Sequence, residues 1–226
     1  MRERATALAI ALALALGVAA CGGGPEANVI NQYFTALRAN DTNTLTSFAT
    51  VQFDQKVDSY KIVSVGPEAR TPATLPELVA KQKQLEADLA KNNRDAKAWG
   101  NDLNVYPKLD EVRSLEQKGA KIPAALEPIH QKWTTFNDKD RELKKGLADA
   151  KAAVEREKRI ATLSLGQLED LETLKGDVIT KDVDLTMTVA GQAKPYVMTL
   201  RKYDVSGGTG SRLVSRWVVF GLTPKS

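Results

Sequence analysis

Apolar residues recur along this chain with changing period, and the changes mark its parts. From Asn28 to Ala39 (NVINQYFTALRA) they fall at Val29, Ile30, Tyr33, Phe34 and Leu37, the three-four spacing of a helix with one buried face. Asn40-Asp41 ends it, and Asp41 or Thr42 is placed to cap a second short helix through Leu45, Phe48 and Ala49. Tyr60 to Val65 (YKIVSV) alternates and is rich in β-formers, which predicts a strand. Gly66-Pro67 and Thr71-Pro72 then break the chain.

From Pro76 to about Leu168 the chain is rich in Lys, Glu, Asp, Gln, Ala and Leu, and apolar residues return to helical spacing. One run passes through Leu78, Leu85, Leu89, Ala96, Trp99, Leu103 and Tyr106. A second passes through Ile129, Trp133, Phe136, Leu143, Leu147, Val154 and Ala161. Gly119–Pro123 separates them. The seven-residue repeat with solvated flanks predicts an antiparallel coiled-coil hairpin. A turn near Lys121 would set Trp99 opposite Leu143, Tyr106 opposite Phe136, Leu109 opposite Trp133 and Leu89 opposite Val154. Each arm would reach roughly 60 Å at 1.5 Å per residue. Gly100 and Pro107 lie inside the first arm, and Pro107 should kink or split it. Trp99, Tyr106, Trp133 and Phe136 read as the seam between the arms, and Glu155-Arg156-Glu157-Lys158-Arg159 as a solvated face.

After Lys175-Gly176 the period drops to two. Asp177–Val189, Tyr196–Val205 and Leu213–Leu222 read as three strands, joined by a turn at Gly191-Gln192 and a loop at Ser206–Gly210. Their short connections make an antiparallel meander. The alternation in the first changes register between Val183 and Leu185, as a β-bulge would make it.

The opening residues differ from all of this. Arg2 and Arg4 precede an apolar run from Ala5 to Leu16, and Gly17-Val18-Ala19-Ala20 leads to Cys21. The run suits a signal-peptide core and is short for a membrane span. Val18-Ala19-Ala20-Cys21 resembles the lipobox of bacterial lipoproteins, which implies cleavage after Ala20 and lipid attachment at Cys21. Cys21 is the chain's only cysteine, so an intrachain disulfide is excluded. Gly22-Gly23-Gly24-Pro25 follows as a flexible tether. Gly22, where Asp would resemble an inner-membrane retention signal, favours the outer membrane in a Gram-negative host. The chain has 32 Lys+Arg and 28 Asp+Glu, interspersed in both signs. Nucleic-acid binding needs a clustered basic face, so it is not expected.

The order of helices, strand, helical region and meander, with the opening VINQYFTALRANDTNTLTSFA, resembles the nuclear transport factor 2-like (SnoaL or ketosteroid-isomerase-like) fold over about residues 28–65 and 172–224. That resemblance implies an α+β cone: a small curved antiparallel sheet with N-terminal helices, here interrupted by the long helical hairpin. The expected division is a signal peptide (1–20), a lipidated tether (21–27), the first part of the cone (28–72), the hairpin insertion (73–171) and the second part of the cone (172–226). Such cones enclose a conical pocket, for which Asp54, Asp58, Asp182 and above all Tyr60, Asp184 and Tyr203 are possible polar linings.

No motif assigns catalysis. His130 is the only histidine, and a metal site needs three or four ligands. Gly207-Gly208-Thr209-Gly210 joins two strands and lacks the following helix that binds phosphate. No cofactor or metal is expected. Three readings stand: a binding or structural lipoprotein held to the bilayer by acylated Cys21, whose hairpin meets an envelope protein; a small-molecule carrier or enzyme using the cone; and an efflux-type periplasmic adaptor, whose hairpin would be flanked by two similar β halves.

Overall fold

A computed structural model of the chain describes residues 24–207 and 210–225. The expected signal peptide, Cys21, Gly22 and Gly23 lie outside the described residues. The architecture is α+β, with a curved antiparallel sheet and, among the described residues, five α-helices. The helices are α1 (Pro25–Arg38), α2 (Thr42–Phe48), α3 (Leu75–Gly100), α4 (Tyr106–Gln117) and α5 (Glu127–Leu165). The strands are β1 (Val57–Val65), β2 (Ala69–Pro72), β3 (Lys175–Val189), β4 (Gln192–Ser206) and β5 (Val218–Pro224). The sheet order is β1-β3-β4-β5, and β2 pairs with β3 on the side where β1 also pairs.

Local chemistry explains several boundaries. Pro25 occupies the first turn of α1, where its missing N–H costs nothing, and the helix therefore starts inside the expected tether. Asp41 caps α2, accepting the Thr44 N–H at 3.0 Å. The β3–β4 turn places Ala190 (φ 50°) and Gly191 (φ 76°) in left-handed conformations, as a two-residue type I′ hairpin requires. Gly176 (φ 139°) is compelled by space as well, because a Cβ there would lie 2.3 Å from the Asp204 carbonyl oxygen.

The long strands β3 and β4 pair without a register shift from Lys175↔Ser206 to Val189↔Gln192. The expected bulge in β3 is absent. The extra residues are in β1: Asp58, between the pairs Val57↔Val189 and Ser59↔Thr188, and Val63, between Ile62↔Leu185 and Ser64↔Asp184. The change in β3's apolar alternation has another cause: helices cover opposite faces of the two ends of the sheet. On one face α1 and α2 close over Val183, Leu185, Met187, Met198 and Leu200. On the other, α3 and α5 close over Val178, Tyr203 and Val205. Buried residues thus switch parity at Val178-Ile179, with no break in the ladder.

Two expectations need correction here. Residues 213–217 are not strand; β5 begins at Val218. Ala69–Pro72 does form a strand, despite its turn-like sequence, because β3 extends past the end of β1 and leaves Asp177–Thr180 to be paired.

The helical region departs from two continuous arms. The first divides at Gly100–Val105, and α4 begins with Pro107 in its first turn. The Trp99 ring packs on Phe136, 5.6 Å away, where the sequence pairing predicts Leu143. Leu85 lies against Gly146, and Asn92 Nδ2 donates to the Phe136 carbonyl at 3.2 Å. α4 packs on the start of α5 through Leu109 and Val112, with Arg113 4.3 Å over the Trp133 ring and Glu116 3.1 Å from His130. Tyr106 is 55 % exposed and outside any seam, because the Asn101–Val105 turn carries it off the line of α3. No helix of the described residues is long and apolar enough to cross a membrane.

Candidate functional site

The three lining residues singled out from sequence are not brought together. Tyr60 lies on the α1 face of the sheet: its ring stacks on Phe34 at 4.0 Å, and its hydroxyl donates to Asn31 Oδ1. Burial raises its ionisation above the ordinary tyrosine value, against the Arg38 charge. Asp184 points from the opposite face, where it pairs with Lys225 at 2.8 Å and accepts the Ser64 hydroxyl at 2.9 Å. Those two hydrogen bonds hold its carboxyl below the usual range. Tyr203 is on that same face but under α5, at the other end of β4, buried and donating to Glu157 Oε1 at 2.7 Å. Asp182 accepts the Thr199 hydroxyl at 2.7 Å, and Asp58 accepts the Gly191 N–H at 3.1 Å. Asp54 is exposed after α2.

The space between α1 and the sheet is occupied by protein. Ile30, Tyr33 and Phe34 are fully buried there against Val183, Leu185, Met187 and Leu200. The Tyr33 hydroxyl is buried without a hydrogen-bond partner; the Phe53 amide lies near it, short of bonding geometry. Burial pushes this phenol up to about 12, the Phe53 amide pulling down and the Asp54 carboxylate adding to the rise.

Two features outside that core could engage another molecule. The first is a groove of about 870 Å³ between α1, α2 and the segment leading into β5. Its walls carry Asn28, Gln32, Thr35 and Ser215, and its floor Val29, Ala36, Phe48 and Trp217. Arg216 at its edge is a clasp. The guanidinium donates to Ser47 O of α2 and Leu163 O of α5, each at 2.8 Å, and the Arg216 N–H donates to Ser164 O at 2.9 Å. Both helices end there, so the cation meets carbonyls that have no partner inside their own helices.

The second is the corner between α3 and α4. Leu103 is 90 % exposed and Tyr106 55 %, while Leu109 and Val112 beside them in sequence are packed away.

Two ionic clusters knit the body. Where α1 begins, Lys181 lies 2.5 Å from Glu26 and 3.5 Å from Glu68. Donating a hydrogen bond to Glu26 raises the Lys181 ammonium pKa; burial pushes the Glu26 carboxyl up, but Lys181 outweighs it and holds it low. Under α5, Glu157 accepts from Arg201 at 2.5 Å and from Tyr203. Glu157 is 6 % exposed, which corrects its placement on a solvated face. The readable signal was its spacing, since Val154, Glu157 and Ala161 share one helical stripe. Arg216 and the Leu103–Tyr106 corner had no comparable signal, being made by tertiary contacts and by their absence. Among the described residues no group of His, Cys, Asp or Glu forms a metal cage.

No family model, curated protein or solved structure matches this chain.

Proposed function

We propose that the chain is an envelope lipoprotein acting as a non-catalytic binding module, anchored through acylated Cys21, with α3–α5 forming a coiled-coil hairpin arm that meets a protein partner. The observation that carries the reading is the Leu103–Tyr106 corner: two large apolar side chains held in solvent on a region whose neighbouring apolar residues are covered. The arm reading is supported by contacts along α3 and α5, including Trp99 on Phe136, Leu85 on Gly146 and Lys151 3.6 Å from Glu86. The anchoring reading is supported by the Val18-Ala19-Ala20-Cys21 run and by the start of α1 at Pro25. Only Gly22–Gly24 would then separate the lipid from the fold, a reach of about 10 Å. If the host is Gram-negative we place the anchor in the outer membrane.

For the body we propose the nuclear transport factor 2-like arrangement, with helices on the concave face of a curved antiparallel sheet. We do not adopt its ligand-holding version, because Ile30, Tyr33 and Phe34 occupy the interior. Nor do we adopt the efflux-adaptor reading, because the strands before and after the helical region join one sheet rather than two halves.

The test has two arms. A photo-crosslinking residue at position 103, in intact cells, should capture one protein partner, and Tyr106→Ser should abolish the adduct without lowering the melting temperature. Radiolabelled palmitate should enter the full chain and not Cys21→Ser. A chain that takes no label refutes the anchor; capture that survives Tyr106→Ser refutes the arm.

A further inference from the structure

We propose that the groove between α1, α2 and the lead-in to β5 binds a neutral saccharide. This goes beyond the anchoring and arm readings and depends on neither.

The groove's charges are already in use. Lys202 pairs with Glu68 at 3.5 Å and lies 4.3 Å over the Trp217 ring. Arg216 is held by the Ser47 and Leu163 carbonyls at 2.8 Å. Asp41 accepts from the Thr44 N–H at 3.0 Å and hydroxyl at 2.5 Å. An anion would have to share Arg216 and Lys202 with the carbonyls and the carboxylate that already hold them, and a cation would have to compete with the α2 cap for Asp41. The neutral side chains differ: Asn28, Gln32, Thr35 and Ser215 line the groove, and none makes a side-chain hydrogen bond within the protein among the described residues.

Their placement suits a sugar chain. Asn28, Gln32 and Thr35 follow i, i+4, i+7 spacing on α1, so successive groups stand about 5 Å apart along the axis, close to the length of one pyranose unit. Amides and hydroxyls both donate and accept, as a polyol's hydroxyls require. The floor of Val29, Ala36 and Phe48 offers an apolar surface to the C–H face of a sugar ring. A lipid tail fits worse, since covering those amides without partners is costly. An extended peptide fits worse too, because the β5 edge next to the groove is already engaged: Thr50 N–H donates to Val219 O at 2.9 Å. A volume of about 870 Å³ lies in the range of small-ligand sites and holds a short oligosaccharide.

The experiment is calorimetric titration of the full chain with chitotriose and with maltotriose, in parallel with glucuronate-bearing trisaccharide and with inorganic phosphate. One neutral trisaccharide should bind with a Kd of about 1 mM or tighter. The Asn28→Ala/Gln32→Ala variant should weaken it about tenfold at unchanged melting temperature, and so should the near-isosteric Thr35→Val to a lesser degree. Leu103→Ser, remote from the groove, should leave it unchanged. The proposal is overturned if neither neutral trisaccharide binds at about 10 mM, if the double variant binds as well as the parent, or if phosphate or the acidic sugar binds more tightly.

Discussion

The two faces of the β3–β4 ladder are closed by different chemistry. On the face under α1 the centre of the contact is apolar: Ile30, Phe34, Val183, Leu185, Met187, Met198 and Leu200 are all fully buried or nearly so, and the polar ties Glu26–Lys181 and Asn31–Tyr60 lie at its margins. On the face under α5 the apolar residues Val178, Val154, Ile160 and Val205 surround a buried carboxylate, Glu157, bonded to Arg201 and Tyr203. The covering elements differ in kind. α1 is 14 residues long, and its buried stripe packs on the strands and on α2. α5 is 39 residues, roughly 60 Å, and only its C-terminal part touches the sheet. Apolar contact is non-directional and tolerates a helix rolling or sliding. A buried carboxylate that loses partners when displaced does not, so the polar face fixes the direction in which the helical region leaves the body.

That contrast predicts different responses to truncation. Phe34→Ala should cost about 4 kcal/mol, the cavity term of a large buried aromatic, and should unfold the body as one unit. Urea denaturation followed by far-ultraviolet circular dichroism measures it, and a loss below about 1 kcal/mol would show that this face is not the principal core.

Glu157→Ala should cost somewhat less, about 3 kcal/mol, because it strands Arg201, already 11 % exposed with its Nε unpartnered, without its carboxylate. The sharper test joins both changes. Glu157→Leu with Arg201→Met should recover most of the stability, as hydrophobic replacement of buried pairs commonly does. It should also broaden spin-label distances between Lys139 and Lys194, because the direction of α5 is no longer fixed. Unbroadened distances would assign the polar pair no orienting role.

Alkali acts through a buried tyrosine on each face, and on the apolar face that residue is Tyr33. Tyr33 ionises near 12 in the fold against about 10 unfolded, so the neutral phenol is favoured by folding. Its contribution is complete below pH 10 and is lost as pH rises to 12, about 2–3 kcal/mol by linkage. Tyr33→Phe should flatten that decline in a pH series of melts and cost little at neutral pH, since the hydroxyl has no hydrogen-bond partner. Burial also raises Tyr203 strongly, so part of the alkaline slope should remain in the variant.

How far the fold could be read beforehand follows the same division. Elements closed by one apolar face were legible: α1 by Val29, Ile30, Tyr33, Phe34 and Leu37; α2 by its Asp41 cap; β3 and β4 by alternation. Elements fixed by partners distant in sequence were not. β2 forms because β3 outruns β1, and Glu157 is buried because Arg201 and Tyr203 arrive from β4. A disturbed alternation was visible in β3 but was read between Val183 and Leu185, whereas the parity switches at Val178-Ile179; sequence alone neither locates the switch nor distinguishes a bulge from a change of covered face. Gly100 and Pro107 marked the split between α3 and α4; the exposure of Tyr106 depended on the turn between them. For the site, Tyr60, Asp184 and Tyr203 are each well placed on strands, yet the twofold side-chain period sends Asp184 to the face opposite Tyr60, and ladder length separates it from Tyr203.

The smallest effect tests whether the two faces communicate. Arg216 is the residue that touches a helix from each: α2, which closes the apolar face, through Ser47 O, and α5, which closes the polar face, through Leu163 O. Both contacts are exposed, charge-assisted hydrogen bonds at helix C-termini, worth about 1 kcal/mol together after competition with water. Arg216→Met keeps the stem and removes both. Ser164→Ala removes a third tie, the hydroxyl donated to Arg216 O at 2.8 Å, which lies on the α5 side alone. If the clasp works as one unit, the double variant should lose less than the sum of the singles, with an interaction energy of about 0.5 kcal/mol or more. Strict additivity would mean that α2 and α5 are capped independently, and that the two faces of the ladder are held without reference to each other.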